Sequence, residues 1–387
     1  MTRRSVKAGI MAGAALLLAA CGGGADPAGG SKAAGNGGGA SGGGDVKKAS
    51  LAQPGAVTVA FCHPIPDGSS GGDGGKVYGL TVRSYSAENG AVLAERSTVL
   101  PSGVEPTAVC KKDGPAKGPG LAFNKDLTQV AGISRAGTTD RAAAFDLATG
   151  KEVSPPDPDA FTKRAKNTGA AFHPVTGRLW YDEQPHGFRS NDPVVSRDTK
   201  AGVASEQRVP YEKIPSLLRQ DGPTATAVLA TNKVNGPAVP AGGVVATSAA
   251  SGGLRLARVS DKGEAGVDGY LTDLDTKGLG EDGPDCEPTF WHDATTLVCE
   301  FKKITVSADY KKVVKTEDLI PKNDRVSLAP LPSPDGKSFA FLSKGEGGQW
   351  ALFRAGFTGG AQPVKIANVD QPLDGADKHR MSLVRWN

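Results

Sequence analysis

The sequence predicts an all-β fold, a β-propeller, and three observations carry that prediction. Apolar residues at helical spacing are nearly absent, and the best candidate helix is the short run YEKIPSLLRQ at 211–220. Short apolar segments are instead separated by turns rich in glycine and proline, of which the chain has 53 and 27. A turn followed by an apolar strand also recurs at steps of roughly 40–55 residues, a repeat length typical of propeller blades.

The clearest copy of this repeat is SPDGKSFAFLS at 333–343. Its proline fixes φ, its aspartate accepts hydrogen bonds within its own turn, its glycine accepts a positive φ, and an apolar strand follows. Other copies place an anchor residue seven positions before an apolar residue, across a turn. The pairs are Phe123 and Val130, Phe172 and Leu179, Phe290 and Leu297, and Pro332 and Phe339.

The spacing of the copies predicts the number of blades. Anchors at 123, 172, 290, 332 and 386 are 49, 118, 42 and 54 residues apart, so one divergent unit is expected inside the long gap. The strands of 242–264 are assigned to that unit. We therefore expect six blades of four-stranded antiparallel sheets, at 56–100 with 381–387, 101–155, 156–215, 216–270, 271–325 and 326–380.

The end of the chain is expected to close the ring. SLVRWN at 382–387 resembles the first strand of a unit, whereas 56–61 begin like the second. Pairing of the two would place the N- and C-terminal strands in one blade. Such closure removes exposed edge strands.

The segment SPDGKSFAFLS resembles the PD40 repeat of TolB-like β-propellers, which is a WD40-like repeat, and the hairpins ending in DLATGK and SAENG fit the same family. Other copies depart from the motif: 173–177 keeps the turn loosely, and 124–128 lacks both proline and glycine. The resemblance implies a propeller domain over residues 51–387 that mediates protein contacts.

Residues 1–20 are expected to be a lipoprotein signal peptide. A positive segment with Arg3, Arg4 and Lys7 precedes an apolar stretch that is too short for a membrane span of roughly 20 residues but fits an export signal. LAAC at 18–21 resembles a bacterial lipobox, which implies cleavage before Cys21 and a diacylglyceryl group on its thiol. The export route stays open, because TRRSVK also loosely resembles a twin-arginine motif.

Residues 21–50 are expected to be the lipidated cysteine and a flexible tether. The segment is rich in glycine, alanine and serine and cannot bury enough apolar surface to fold. Its mean span of roughly 30 Å would lift a domain clear of lipid head groups. The chain is therefore expected to be extracytoplasmic, anchored by its lipid to the outer face of the cytoplasmic membrane.

The charge balance excludes one class of partner. Three of the 45 Lys and Arg residues lie in the signal peptide, which leaves 42 against 41 Asp and Glu residues. No block of five or six basic residues occurs. We therefore expect no nucleic-acid partner, and we expect a monomer.

Four cysteines follow the tether, and an even number in an exported chain suggests two disulfides. Three pairings are possible. Cys286 and Cys299 bracket a predicted hairpin, whose facing strands come within bridging distance. This leaves Cys62 and Cys110 as the second pair, by elimination. Free, buried cysteines are the alternative.

No catalytic residue, metal site or cofactor site is predicted. GSSGG at 68–72 matches G-x-S-x-G but lacks the strand and helix that this motif needs. The acidic stretch 273–287 would place Lys277 and Pro284 at ligand positions of a calcium loop, so a solvated loop is preferred and a looser calcium site stays open. The histidines lack metal-ligand spacing. They are His63, His173, His186, His292 and His379.

The function favoured by these observations is a non-enzymatic binding scaffold for an envelope protein, a peptide or a cell-wall ligand. The alternative is an envelope enzyme of hydrolase or lactonase type with its site in the propeller channel, which requires acids or histidines that converge at the axis. A solute-binding lipoprotein would need two α/β lobes with long helices, which the sequence does not predict.

Overall fold

The computed structural model describes residues 49–65, 77–110, 119–136, 139–153, 166–174, 176–184, 194–199, 206–209, 244–248, 254–259, 267–273, 288–328, 330–345, 347–369 and 381–387. All of them belong to one of the two units into which the chain divides, Gly44–Asn387. The predicted signal peptide, Cys21 and most of the tether lie outside the described residues. Within the described ranges, no helix is long and apolar enough to cross a membrane.

The described residues are mostly strands and turns. Helical structure there is limited to α1 (Thr107–Cys110) and a 3₁₀ turn (Pro119–Ala122). The strands are β1 (Ala56–Ile65), β2 (Val77–Ser86), β3 (Val92–Val99), β4 (Val104–Glu105), β5 (Gln129–Ala136), β6 (Thr139–Asp146), β7 (Lys166–Phe172), β8 (Leu179–Gln184), β9 (Val194–Arg197), β10 (Gln207–Val209), β11 (Val244–Ser248), β12 (Leu254–Val259), β13 (Val267–Asp273), β14 (Pro288–Trp291), β15 (Thr296–Cys299), β16 (Lys302–Val306), β17 (Val313–Asp318), β18 (Val326–Ser327), β19 (Leu331–Pro332), β20 (Ser338–Lys344), β21 (Trp350–Gly356), β22 (Val364–Asn368) and β23 (Met381–Trp386).

These strands form five hydrogen-bonded sheets in the described part of the chain. Sheet 1 has the order β23-β1-β2-β3, and sheet 2 has the order β10-β9-β8-β7-β6-β5-β4. Sheet 3 is β11-β12-β13, and sheet 4 is β14-β15-β16-β17. Sheet 5 is β18-β20-β21-β22, with β19 also paired to β20.

Apolar clusters join neighbouring sheets in the described part of the chain. Phe123 of sheet 2 packs with Leu80 of sheet 1, and Trp350 of sheet 5 packs with Val59 of sheet 1 on the opposite side. Further clusters join sheet 3 to sheet 4 and sheet 4 to sheet 5. Each fully buried large apolar side chain contributes about 1.5–3 kcal/mol. Because the last sheet packs on the first, the fold is an all-β propeller, and the described residues form five blades.

The expectation of six four-stranded blades is wrong. The five sheets contain four, seven, three, four and five strands. The described strands of 101–155 and 156–215, which were expected to form two blades, are one sheet because β6 and β7 pair in parallel through Asp140 and Lys166. Repeat spacing counts turn-and-strand units, but it does not reveal a hydrogen-bonded link between one unit and the next.

The predicted seven-residue spacing corresponds to real strand pairing in three of the four copies. Phe123 faces Val130, Phe172 faces Leu179, and Pro332 faces Phe339. The fourth pair is wrong by one residue, because Phe290 faces Val298. In this hairpin, Trp291 is the residue that faces Leu297.

The prediction that the chain ends share a blade is confirmed. Strand β23 pairs antiparallel with β1, from Val57 opposite Trp386 to Phe61 opposite Met381. Beyond the strands, the Asn387 N–H donates to the Ala56 carbonyl at 2.9 Å and the Gly55 N–H donates to the Asn387 carbonyl at 2.7 Å. The first blade therefore contains both the first and the last described strand.

Glycines in two hairpin turns let neighbouring blades approach closely. Gly90 follows β2 and Gly150 follows β6, with φ of 75° and 70°. A Cβ atom on Gly90 would collide with the backbone carbonyl of Ile366 in sheet 5. On Gly150 it would collide with the carbonyl of Val99 in sheet 1. Glycine is thus required at both positions for its φ and for the contact.

We predict that Gly150→Ala destabilises the fold far more than Gly177→Ala. Gly177 has the same φ of 70°, but nothing lies within 4 Å of a Cβ atom placed there. The control should lose about 1 kcal/mol of unfolding free energy from backbone strain alone, and Gly150→Ala about 3 kcal/mol or more because the blades must also separate. Urea unfolding of both variants measures the difference, and equal losses would contradict the inter-blade contact.

Candidate functional site

Side chains close the repeated turns at the ends of the first strands. In the turn after Phe123, Asn124 Oδ1 accepts hydrogen bonds from the N–H groups of Thr128 and Gln129, at 2.8 and 3.0 Å. His173 Nδ1 accepts the N–H of Thr176 at 3.1 Å. Ser333 Oγ accepts the N–H of Ser338 at 3.0 Å. Because three residue types perform the same capping, the turns keep their shape although the motif degenerates.

A cavity of about 390 Å³ lies where four chain segments meet. The segments are the residues before β1, the 3₁₀ turn with the turn after Phe123, the turn after Phe172 and the end of β23. Its lining residues are Ala52, Gly120, Leu121, Phe123, Lys125, Asp126, Phe172, Pro174, Arg385 and Asn387. A volume of this size and a mostly apolar wall with a few polar groups are typical of small-ligand pockets.

A β-bulge aims Arg385 at this cavity. Between Thr58 and Val59, the register of β1 against β23 shifts by one residue, so that Val384 is extra. Val384 packs in the cluster between sheets 1 and 2, whereas Trp386 packs towards sheet 5. Without the extra residue, the alternation of a strand would turn Arg385 towards sheet 5.

The Arg385 guanidinium joins sheet 1 to the turn of sheet 2. Its Nη1 group donates to the carbonyl of Asn124 at 3.3 Å and to the carbonyl of Lys125. The side chain is half-buried. Burial lowers the pKa of Arg385, and the Asp126 carboxylate opposes that shift. Arginine nevertheless remains charged in proteins, so the cavity has a desolvated positive charge in its wall.

The remaining polar groups differ in exposure. Lys125 and Asp126 are exposed at the turn. Asn387 is half-buried, and its Nδ2 atom is buried without a hydrogen-bond acceptor among the described residues. Such an unpaired donor costs about 1–3 kcal/mol. A bound acceptor would remove that cost.

A disulfide constrains one wall of the cavity. The predicted bridge between Cys62 and Cys110 is confirmed, with 5.3 Å between the Cα atoms. It ties α1 to β1, and both cysteines pack in one apolar cluster with Ala122 of the 3₁₀ turn. That turn contributes Gly120 and Leu121 to the wall.

The other predicted cysteine pair is described in part. Cys299 is buried and disulfide-bonded. Its predicted partner, Cys286, lies outside the described residues, as do 68–72 and most of the acidic stretch 273–287.

None of the histidines within the described ranges lines the cavity. His173 caps its turn as described above, and His63 lies in β1. The ring of His292 lies 4.2 Å from that of Phe357, centroid to centroid. Burial and then the nearby Lys303 lower the pKa of His292, so its imidazole is neutral at pH 7. His186 and His379 lie outside the described residues.

The most buried charge lies in sheet 2, away from the cavity. Arg197 is 3% exposed, donates from Nη2 to the carbonyl of Ala142, and lies 5.6 Å from the ring centre of Tyr181. The Tyr181 hydroxyl donates to Glu206 at 2.6 Å. Burial and then this hydrogen bond raise the pKa of Tyr181, which stays protonated. These contacts hold β6, β8 and β9 together.

Among the described residues, no group of three or more His, Cys, Asp or Glu side chains is placed to hold a metal ion.

The sequence did not identify the residues that line the cavity. The sequence pattern predicts Arg385 only as part of a strand, and it predicts Lys125 and Asp126 only as part of a turn that departs from the motif. One signal was available: a charged residue follows three apolar or small ones in a strand that is otherwise buried. The bulge that aims it depends on pairing with β1, 320 positions or more away in sequence, and has no local signature.

Comparisons with known proteins assign no family. No protein-family model matches the chain, and no curated protein matches it. Among solved structures, TolB from Acinetobacter baumannii is 11% identical with a TM-score of 0.32, covering 82% of this chain and 70% of TolB. The periplasmic gluconolactonase of Pseudomonas aeruginosa is 13% identical with a TM-score of 0.37, covering 83% and 84%. The β-propeller domain of the trilobed protease from Pyrococcus furiosus is 11% identical with a TM-score of 0.35, covering 81% and 96%. Sequence identities and TM-scores this low do not indicate what activity this chain has.

We predict that Cys62→Ala with Cys110→Ala lowers the unfolding free energy by about 4 kcal/mol, which is the chain-entropy value for a closed loop of this length. The two cysteines are 48 positions apart. Urea unfolding under non-reducing conditions measures the loss, with the wild-type chain as reference. A midpoint unchanged from wild type would show that the bridge does not constrain the unfolded chain.

Proposed function

We propose that the chain is a membrane-anchored, extracytoplasmic lipoprotein whose propeller is a non-enzymatic binding scaffold for an envelope protein, a peptide or a cell-wall ligand. The cavity carries this proposal. It combines apolar walls with a few polar groups, and it is built from four segments of the propeller. Such a site holds a ligand in a defined orientation without rearrangement of the scaffold.

The disulfide supports an extracytoplasmic location. Stable disulfides form in oxidising compartments and are rare in the bacterial cytosol. The bridge between Cys62 and Cys110 therefore agrees with the export signal at 1–20 and the lipobox that ends at Cys21. The propeller would be held at the membrane by the lipid on Cys21 and the tether that follows.

The chemistry of the lining residues favours binding over catalysis. Arg385 does not lose its proton in proteins and already holds two backbone carbonyls. Asn387 neither gains nor loses a proton at neutral pH. Asp126 carries the one side-chain carboxylate among the lining residues given above. Acid–base catalysis needs groups with tuned pKa values in reach of each other, whereas these groups are suited to orient a ligand.

We expect Cys21→Ser to release the chain from the membrane. Without the thiol no diacylglyceryl group can be attached, and the chain moves to the soluble extracytoplasmic fraction or remains as an unprocessed precursor of higher mass. Immunoblots of fractionated cells test this, with Ser31→Ala in the same tether as the matched control. A Cys21→Ser chain of mature mass in the membrane fraction would exclude the lipid anchor.

The scaffold is tested by in-cell crosslinking of the tagged chain and mass spectrometry of what is captured. We expect a reproducible envelope partner that Ala52→Trp abolishes, because the indole fills the cavity. Ala91→Trp, at an exposed alanine in the turn between β2 and β3, should retain it. Capture by both variants would place the binding surface elsewhere, and no capture by the wild-type chain would contradict a macromolecular scaffold.

A further inference from the structure

We infer that the cavity receives a carboxylate carried by an apolar body of about the size of one phenylalanine residue. This inference rests on the proposed function, because it names the ligand class of the same site.

The first argument is the guanidinium in the cavity wall. Both hydrogen bonds of Arg385 run from Nη1, to the carbonyls of Asn124 and Lys125, and the described residues supply no acceptor to the rest of the guanidinium. A half-buried positive charge is costly unless it is paired. A planar carboxylate fits the geometry of a guanidinium and would supply both the charge and the missing acceptors.

The second argument is the balance of the other polar groups. Asn387 has a buried Nδ2 donor without an acceptor among the described residues, and Lys125 adds a second positive charge at the rim. Asp126 carries the one side-chain carboxylate of the lining, and it is exposed where solvent screens it. Among the lining side chains two are cationic and one is anionic, which favours an anionic ligand group over a cationic one.

The third argument is the shape of the remaining wall. Phe123, Phe172 and Leu121 are fully or nearly fully buried, and together with Pro174 they face a volume of about 390 Å³. An inorganic anion would fill only part of this volume. A carboxylate with an apolar body of this size would fill it and would contact Ala52 and Pro174, the lining apolar side chains that are not buried.

The test compares two probes that differ in one charge. N-acetylphenylalanine has the carboxylate, and N-acetylphenylalaninamide has the same body without it. We expect calorimetric titration of the full-length chain in detergent to show at least about tenfold weaker binding of the amide, since hydrogen bonds to charged groups contribute most to such a difference. A third probe, a peptide with an internal glutamate flanked by phenylalanine and blocked at both ends, distinguishes a peptide side chain from a free acid.

Charge variants of exposed residues keep the test independent of folding. Lys125→Gln should weaken binding of the acid a few-fold and Asp126→Asn should strengthen it, while both leave binding of the amide unchanged. Lys337→Gln is the matched control, because Lys337 is exposed in the equivalent turn of sheet 5. Arg385→Gln should remove the preference for the acid, and its unfolding curve shows whether the fold survives.

The outcomes separate this inference from the proposed function. Equal binding of acid and amide, both lost in Ala52→Trp, would leave the cavity as the binding site and overturn the anionic ligand class. Binding of the acid that is unaffected by Lys125→Gln, Asp126→Asn and Ala52→Trp would overturn the site itself. If none of the three probes binds, the proposed ligand class is wrong. The crosslinking experiment then tests the proposed function independently of this inference.

Discussion

The antiparallel pairing of β1 with β23 is the interaction on which the rest of the ring depends. It joins the two ends of the described propeller in one sheet, continued by the hydrogen bonds of Gly55 and Asn387 beyond the strands. One face of that sheet packs on sheet 2 and the other on sheet 5. Loss of this pairing would therefore expose two apolar clusters at once, not only the edge of one strand.

The same pairing creates the cavity. The extra residue at Val384 reverses the side to which the next side chain points, so Arg385 reaches the turn of sheet 2 while Trp386 remains in the core. The cavity is complete only when the end of the chain, the turn after Phe123 and the turn after Phe172 have been brought together. The disulfide between Cys62 and Cys110 ties α1 to β1 next to this site. Closure of the fold and formation of the site are thus one event.

Close contact between blades explains why some positions tolerate change and others do not. The turns that end the first strands are closed by asparagine, histidine or serine, so their sequences diverge without loss of shape. The outer hairpin turns at Gly90 and Gly150 are different, because the neighbouring backbone occupies the space of a side chain. The varied capping residues of the first turns and the glycines required at 90 and 150 therefore reflect how much space the neighbouring backbone leaves in each turn.

The sequence by itself determined the class of fold and the seven-residue spacing across three turns, because each follows from residues within one strand and turn. It also predicted the pairing of the chain ends, from the place of each terminal strand in the repeat, and the Cys62–Cys110 bridge, by elimination among three possible pairings. The expected signal peptide, Cys21 anchor and tether are likewise local, and they remain predictions. Only the tertiary structure decided the number of blades, because a single parallel pair, Asp140 with Lys166, merges two repeat units. It also decided which residues line the cavity. Lys125 and Arg385 are far apart in the chain, and a register shift between β1 and β23 brings them together. Local sequence does not encode such a shift.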